Sequence, residues 1–220
     1  MTAPFAPTDR SRVRVVSKRA RYDRDTVHAI LDAMPLCHVG YVVDGKPIVT
    51  PTLQWREGDH VYWHGSNASR ALRTAAESDV CLTVSLLDGL VLARSGFHHS
   101  ANYRSVQIYG APSKVEDVER KTAALETFVE RLYPGRWDQL RPMTPKELRA
   151  TTLLSLPLTE ASAKLREGDP VDDEEDYDTP VWAGVLPITL MLGEPVPDPR
   201  NLEGVRSSDY GLPAWLGRKR

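Results

Sequence analysis

The sequence predicts a mainly β protein: an antiparallel barrel, closed or nearly closed, with α-helices at its rim. The strand-like segments are short and follow one another directly, and Asp-Gly turn signals at Asp44-Gly45 and Asp88-Gly89 join two pairs of them. Strands and helices do not alternate regularly, as a doubly wound parallel sheet would require. The length of 220 residues, with 41% hydrophobic and 26% charged residues, suits one globular domain with short arms.

The N-terminal segment, residues 1–20, is rich in proline and arginine and has no apolar periodicity. We therefore expect a basic arm that is disordered, or ordered only against a partner subunit. No aromatic side chains interleave with its arginines, and the net charge of the chain is −2, so no nucleic-acid partner is expected. The barrel domain is predicted at 21–195 and a C-terminal tail at 196–220.

The sequence predicts three helices, with antiparallel strands between them, and a further helix start at a capping box. Apolar residues repeat at helical spacing after Asp23 and Asp25, either of which can cap the first helix. A second helix follows Gly65-Ser66-Asn67, and a longer one covers about 116–133. Thr144 begins a capping box with Glu147. The predicted strands are 36–43, 46–55, 60–64, 80–87, 90–95 and 105–112, with a last one around Leu154–Leu158.

Hydropathy and the N-terminal sequence predict a cytoplasmic protein with no membrane partner. No window reaches the ~18 apolar residues of a membrane span, and Met1–Arg24 lacks the apolar centre of a secretory signal. Cys37 and Cys81 lie in apolar strand-like segments and are expected to be buried thiols. The acidic segment 167–178 does not have calcium-loop spacing and is expected to be a surface loop that covers a cavity or pairs with the basic arm.

Three segments are candidates for chemistry. The turn His64–Arg70 places Ser66, Ser69 and Arg70 where a helix begins, an arrangement that suits a phosphate or, equally, a plain helix cap. The segment Phe97–Ser105 is polar and aromatic, and its Arg104 could stabilise negative charge on a bound ring. Its adjacent histidines, His98 and His99, point to opposite faces of a strand, so no metal site is expected. Trp182 is a candidate stacking surface or lid, or a packing residue.

Four stretches together resemble the pyridoxamine 5'-phosphate oxidase-like, FMN-binding split-barrel proteins, especially the nitroimidazole-reductase-like subgroup. The stretches are Gly45–Pro51; Val61–Gly65 with Ser69-Arg70; Asn102–Val106 with Tyr109-Gly110; and Lys164–Gly168 with Trp182–Pro187. The resemblance implies a six-stranded antiparallel split barrel of the FMN-binding type, acting as a homodimer with flavin at the subunit interface.

Carried over by position, the resemblance implies seven cofactor-binding residues, and Arg104 is added to them as an eighth on its own position and charge. Ser69 and Arg70 match the pair at the FMN phosphate, and His64 and Gly65 the strand end beside the cofactor. Thr50 and Thr52 lie on the strand along the flavin ring, Trp182 matches a C-terminal tryptophan, and Arg104 is assigned to the ring or phosphate. Catalytic residues are not identified.

The function implied is a flavin-dependent oxidoreductase acting on an unknown small molecule. Ala71 stands where the oxidases have lysine, and their pyridoxal phosphate contacts have no match, so true pyridoxamine-phosphate oxidase activity is not expected. FMN is the expected cofactor, with FAD or a deazaflavin open. Two alternatives remain: a haem or tetrapyrrole protein on the same barrel, with His64, His98 or His99 as axial ligand, and a non-catalytic flavin-binding module.

Overall fold

The computed structural model describes residues 3–206 and residue 213, so the rest of the predicted tail lies outside the described residues. Its architecture is mainly β: antiparallel strands pair into one sheet, and four α-helices lie at its margins. The predicted class is confirmed. The strands are β1 Ala20–Arg21, β2 Leu36–Val43, β3 Lys46–Glu57, β4 His60–Ser66, β5 Val80–Leu92, β6 Ser100–Gly110, β7 Ser113–Lys114, β8 Thr151–Pro157, β9 Ala161–Arg166 and β10 Gly184–Pro187. The helices are α1 Arg24–Ala33, α2 Arg70–Ala75, α3 Val118–Leu132 and α4 Pro145–Ala150.

The strand order is β1-β9-β6-β5-β2-β3-β4-β8-β7, and β10 pairs with the same edge of β5 as β2 does. Only residues 54–57 of β3 pair with β4, while 46–53 pair with β2 alone. Pro51 therefore lies on a stretch with one free edge, as its missing N–H predicts. β3 thus pairs with β2 along one part of its length and with β4 along the other.

Two apolar clusters stabilise this arrangement. The larger one fills the barrel and includes Val27, Ile30 and Leu31 of α1, which begins at the predicted cap Asp23. The smaller one packs α3 against the outside of β3, β4 and β8 through residues such as Trp55 and Leu125. Burial of these side chains away from water is the main force that holds helices to sheet.

Asp88-Gly89 is not a hairpin, contrary to the sequence prediction. β5 runs unbroken through it, with a bulge between Leu87 and Gly89. The true hairpin at Asp44-Gly45 has φ of 50° and 74°, whereas Gly89 has no positive φ. A Cβ on Gly89 would lie 3.0 Å from the Leu186 carbonyl oxygen, so this glycine instead admits β10.

The sheet has ten strands within the described residues, more than the six that the resemblance implies. β1 and β7 have only two residues each, and β9 begins with three small residues, Ala161–Ala163, that give little alternating signal. The long strand expected around Leu154–Leu158 corresponds to β8, and β9 was not predicted.

The N-terminal arm packs on its own barrel, which differs from the expected disorder or partner-dependent order. Phe5 is only 4% exposed, and its ring lies under the Arg24 guanidinium at 4.3 Å. Arg10 forms ion pairs with Asp79 and Glu160. The acidic segment therefore does not neutralise this arm: its Asp172 carboxylate, fully buried, binds Arg94 instead. None of the helices in the described ranges has the length and hydropathy to cross a bilayer.

Candidate cofactor-binding cleft

A cleft of about 120 Å³ opens where β2, β3 and β4 meet α2. Its lining combines apolar side chains with hydroxyl groups on two sides, those of Thr50 and Thr52 on β3 and those of Ser66 and Ser69 before α2. Five of the eight predicted site residues line it: Thr50, Thr52, His64, Gly65 and Ser69. Ser66, which the sequence named as a candidate phosphate contact, also lines it, and the residues that the sequence prediction missed are Val39, Tyr41, Pro51, Trp63, Ala71, Leu72 and Ala75. The inward alternation of Val39 and Tyr41 on β2 is the signal that could have identified two of them.

The turn between β4 and α2 is held in place from both sides. The Asn67 side chain donates to the Arg149 carbonyl at 3.0 Å, and the Asn67 amide donates to the Ala150 carbonyl at 2.8 Å. Arg73 donates to the Ala68 carbonyl at 3.0 Å. A Cβ on Gly65 would lie 3.0 Å from the Leu72 side chain, so glycine lets α2 approach β4 closely. The turn is therefore a preformed edge of the cleft.

Ser69 and Arg70 occupy the start of α2. The Ser69 hydroxyl oxygen accepts from the Leu72 amide at 3.4 Å, which makes it the helix cap that the sequence allowed as an alternative. Its proton remains able to donate. The Arg70 side chain is exposed, with no hydrogen bond or ion pair to any described residue. Arg70 itself is not part of the cleft lining, whereas Ser69 is. A hydroxyl donor and, on the next residue, an unpaired guanidinium form a combination that suits a phosphate.

The opposite wall is the singly paired part of β3. Thr50 hydrogen-bonds to the Tyr41 hydroxyl at 3.1 Å, which fixes both side chains in the cleft. Thr52 lies two residues further along, on the same face. The wall therefore offers two threonine hydroxyls at a strand margin that no described strand covers.

His64 lies at the inner end of the cleft, against two aromatic rings. Its ring centroid is 4.7 Å from Phe128 and 5.8 Å from Trp55, both in edge-on geometry. Its Nδ1 is buried and has no hydrogen-bond partner among the described residues. Burial lowers the pKa of His64 from its usual 6.5, because the charged imidazolium would lose its hydration. The lowered pKa favours the neutral form of the ring, whose Nδ1 lacks a partner among the described residues.

Arg104 and Trp182 do not line the cleft. Arg104 makes two hydrogen bonds to the Asp88 carboxylate, at 2.9 and 2.8 Å. Trp182 is 64% exposed, and its ring covers Gly184 so closely that a Cβ there would lie 2.7 Å away. Their assignment as cofactor contacts stays a prediction.

His98 and His99 lie on the loop between β5 and β6. His98 pairs with Asp173 at 3.2 Å, and Asp176 lies close enough that the three ligand atoms fall within 4.8 Å of one another. His99 Nδ1 contacts the Ser95 carbonyl at 2.8 Å. A hydrogen bond between His98 of the loop and Asp173 of the acidic segment accounts for this grouping. The two thiols are free, and burial raises the pKa of Cys37 to about 12, which leaves it unreactive.

Comparison with known proteins identifies relatives that share nearly the whole chain. Residues 23–165 match the family model described as pyridoxamine 5'-phosphate oxidase. A flavocytochrome from Azotobacter vinelandii is 51% identical, with 97% of each chain covered and a TM-score of 0.88. The FAD- and haem-binding protein from Mycobacterium smegmatis is 37% identical, with 86% of this chain and 93% of that chain covered and a TM-score of 0.82.

A more distant structure is similar to this chain in its fold alone. A protein named for 5-nitroimidazole antibiotic resistance, from Bacteroides thetaiotaomicron, is 22% identical. The match covers 66% of this chain and 85% of that chain, with a TM-score of 0.56. Comparison with curated protein sequences gives no match.

Proposed function

The chain belongs to the pyridoxamine 5'-phosphate oxidase family, and from this premise we propose that it is a flavin-binding oxidoreductase that also carries haem. The observation that carries the flavin assignment is the cleft beside Ser69 and Arg70. The haem assignment rests on similarity to two proteins. One is named a flavocytochrome, and the other is named for both FAD and haem.

The residues present suit a flavin nucleotide. The Ser69 hydroxyl and the unpaired Arg70 guanidinium would bind its phosphate, and Thr50 and Thr52 would lie along its ring. The buried, unpartnered Nδ1 of His64 is a polar atom that a ring heteroatom would satisfy. Bound flavin would supply hydride or electron transfer, and the side chains around it would orient it and tune its potential.

The FMN portion is common to FMN and FAD, and it is this portion that we place in the cleft. A cavity of about 120 Å³ is smaller than most small-molecule sites, so the adenylate of FAD would extend beyond it. The Mycobacterium smegmatis relative, which is named for FAD, supports FAD as the complete cofactor. We therefore keep the predicted FMN phosphate contacts, and we propose FAD in place of FMN as the complete cofactor.

We propose a homodimer in which a second copy completes the flavin site. The cleft is too small to enclose the cofactor, and the segment after β10 exposes apolar side chains. Leu190 is 58%, Met191 79% and Val196 94% exposed. Exposed apolar surface of this kind marks a protein interface. We also propose a cytoplasmic location, which two cysteines that form no disulfide in the structure would suit.

The proposal is tested on freshly purified protein. Its absorbance spectrum is recorded, the pigments are released by heat and identified by mass, and light scattering gives the mass of the assembly. Released FAD or FMN together with a Soret band supports both cofactors. A colourless protein that takes up neither flavin nor haemin overturns the proposal.

Turnover is tested separately with NADH and NADPH as electron donors. Bleaching of the flavin absorbance under anaerobic conditions supports an oxidoreductase. A bound flavin that neither NADH nor NADPH reduces would favour the non-catalytic flavin-binding module.

A further inference from the structure

A second cavity, of about 430 Å³, lies between the N-terminal arm and the strands β5, β6 and β9. Residues 10–15 of the arm line one side of it. The strand side chains that line it are Thr83, Ser105, Gln107, Ser162 and Lys164. Their sequence neighbours Val106 and Ala163 are buried in the barrel core, so the cavity lies on the other face of the sheet. It shares no lining residue with the cofactor-binding cleft, and its volume is in the range of small-molecule sites.

The lining of this cavity carries four cationic side chains and no acidic one. Arg10 is neutralised by two carboxylates outside the lining. Arg12, Arg14 and Lys164 form no ion pair or side-chain hydrogen bond with any described residue. Unpaired cations gathered around one cavity attract a ligand that carries more than one negative charge.

A buried hydroxyl group adds a neutral donor to these cations. Ser162 is 4% exposed and lines the cavity, and its side chain has no hydrogen-bond partner among the described residues. Ser105 differs, because its hydroxyl donates to the Lys164 carbonyl at 3.3 Å. Buried hydroxyl groups are nearly always paired in folded proteins. The Ser162 hydroxyl is therefore available to a ligand atom.

The arm is held against the barrel on both sides of its two unpaired arginines. Before them, Arg10 forms its ion pairs and the Phe5 ring is buried. Between them, the Val13 amide donates to the Tyr22 hydroxyl at 2.9 Å. These contacts fix the backbone that carries Arg12 and Arg14, so part of the ordering cost of ligand binding is already met.

The chemistry of the lining restricts the class of ligand. Val13 and Val15 are its only apolar side chains, and it has no aromatic ring on which a nucleotide base could stack. Guanidinium groups bind phosphate through two parallel hydrogen bonds, and the three terminal oxygens of a phosphate monoester can accept from several donors at once. The hydroxyl and amide groups of Thr83 and Gln107 suit the polar remainder of such a molecule.

We propose that this cavity binds a small phosphate monoester of a polar metabolite. Arg12, Arg14 and Lys164 bind the phosphate, and the Ser162 hydroxyl donates to one of its oxygens. The site is separate from the flavin phosphate contacts at Ser69 and Arg70, so this inference goes beyond the proposed function and does not depend on it.

The test is calorimetric titration of the full-length protein with glycerol phosphate at constant ionic strength, which keeps general charge screening unchanged. The protein is first saturated with FAD, and the titration is repeated on Arg70→Ala without flavin. In both cases the phosphate site at Ser69 and Arg70 contributes no binding. Saturable binding with the same affinity in the two preparations is expected.

Two variants should weaken this binding about 10-fold or more: the double variant Arg12→Gln/Arg14→Gln and the single variant Ser162→Ala. Lys18→Gln/Arg200→Gln is the control for the double variant, because it removes the same charge from exposed positions outside the lining and should keep the wild-type affinity. Without ligand, Ser162→Ala should keep the wild-type urea midpoint, since its hydroxyl has no protein partner to lose.

Four outcomes would overturn the assignment. The wild type shows no saturable binding, or the arginine variant and its charge-matched control bind equally well. Ser162→Ala has a lower urea midpoint and unchanged affinity, which makes its hydroxyl structural. Malate, a dianion with carboxylates in place of the phosphate, binds as tightly as glycerol phosphate, which shows recognition by charge alone. None of these outcomes bears on flavin binding, which the released pigment reports separately.

Discussion

The Asp88 carboxylate accepts two hydrogen bonds from the Arg104 guanidinium across the bulge in β5. Both side chains are mostly buried, with 11% of Asp88 and 21% of Arg104 exposed. The hydrogen bonds to Asp88 raise the pKa of Arg104, and burial opposes that rise. The Asp88 carbonyl also accepts from Ile188, so this residue joins β5, β6 and the chain after β10.

Asp88→Ala should destabilise the protein by about 1–3 kcal/mol. The substitution leaves the Arg104 guanidinium mostly buried without a carboxylate, and partial access to water keeps the cost below that of a fully buried charge. Urea unfolding measures the loss. Arg141→Ala, which breaks an exposed pair with Glu147, is the control and should leave the midpoint unchanged. Equal midpoints for both variants would contradict the structural role of the Asp88–Arg104 pair.

The two Asp-Gly dipeptides show what the sequence could and could not predict about the fold. Asp44-Gly45 makes the hairpin that local preference favours, with positive φ at both residues. Asp88-Gly89 has the same local preference, but the Arg104 side chain and the approach of β10 hold it extended. These partners are distant in sequence, so no local pattern reports them.

The same distinction between local and long-range contacts applies to the residues of the candidate site. His64, Gly65 and Ser69 lie on one strand-to-helix turn, and their motif order predicted that they meet. Thr50 and Thr52 were reached through the family resemblance. The contributions of Val39 and Tyr41 depend on how β2 pairs with β3 and β5, which the sequence pattern alone does not specify.

Arg70→Ala should weaken flavin binding about 10- to 100-fold, because a hydrogen bond to a charged phosphate is worth about 1.5–3 kcal/mol. Fluorescence quenching of added flavin by the stripped protein measures the dissociation constant. Arg200→Ala removes a cation that is 92% exposed and should bind flavin as the wild type does. Wild-type affinity in Arg70→Ala would show that the phosphate lies elsewhere.

His64 should make the protein less stable as the pH falls. Its folded pKa is lowered by burial, so below about 6.5 the unfolded chain binds a proton that the folded chain refuses. The stability is therefore present above 6.5 and decreases as the pH falls toward the lowered value. His64→Gln should reduce this acid sensitivity in urea midpoints measured near pH 7.5 and 5.5, whereas His60→Gln should keep it. Identical acid sensitivity in His64→Gln would show that other groups, such as His28, cause it.

Gly89→Ala should detach β10 from β5. The new Cβ would lie 3.0 Å from the Leu186 carbonyl oxygen and 3.0 Å from Val185 Cγ1, and a backbone carbonyl cannot move aside without shifting its strand. Faster amide hydrogen exchange should then appear across 184–187, with a stability loss of about 1–3 kcal/mol.

Gly96→Ala is the matched control for this effect, since a Cβ at that position meets nothing within 4 Å and the residue has no positive φ. It should leave exchange at 184–187 unchanged. Because β10 leads directly into the exposed apolar segment that we assign to the dimer interface, Gly89→Ala should also shift the assembly toward monomer in light scattering. Equal protection of β10 in both alanine variants would show that the close approach at Gly89 does not hold this strand in place.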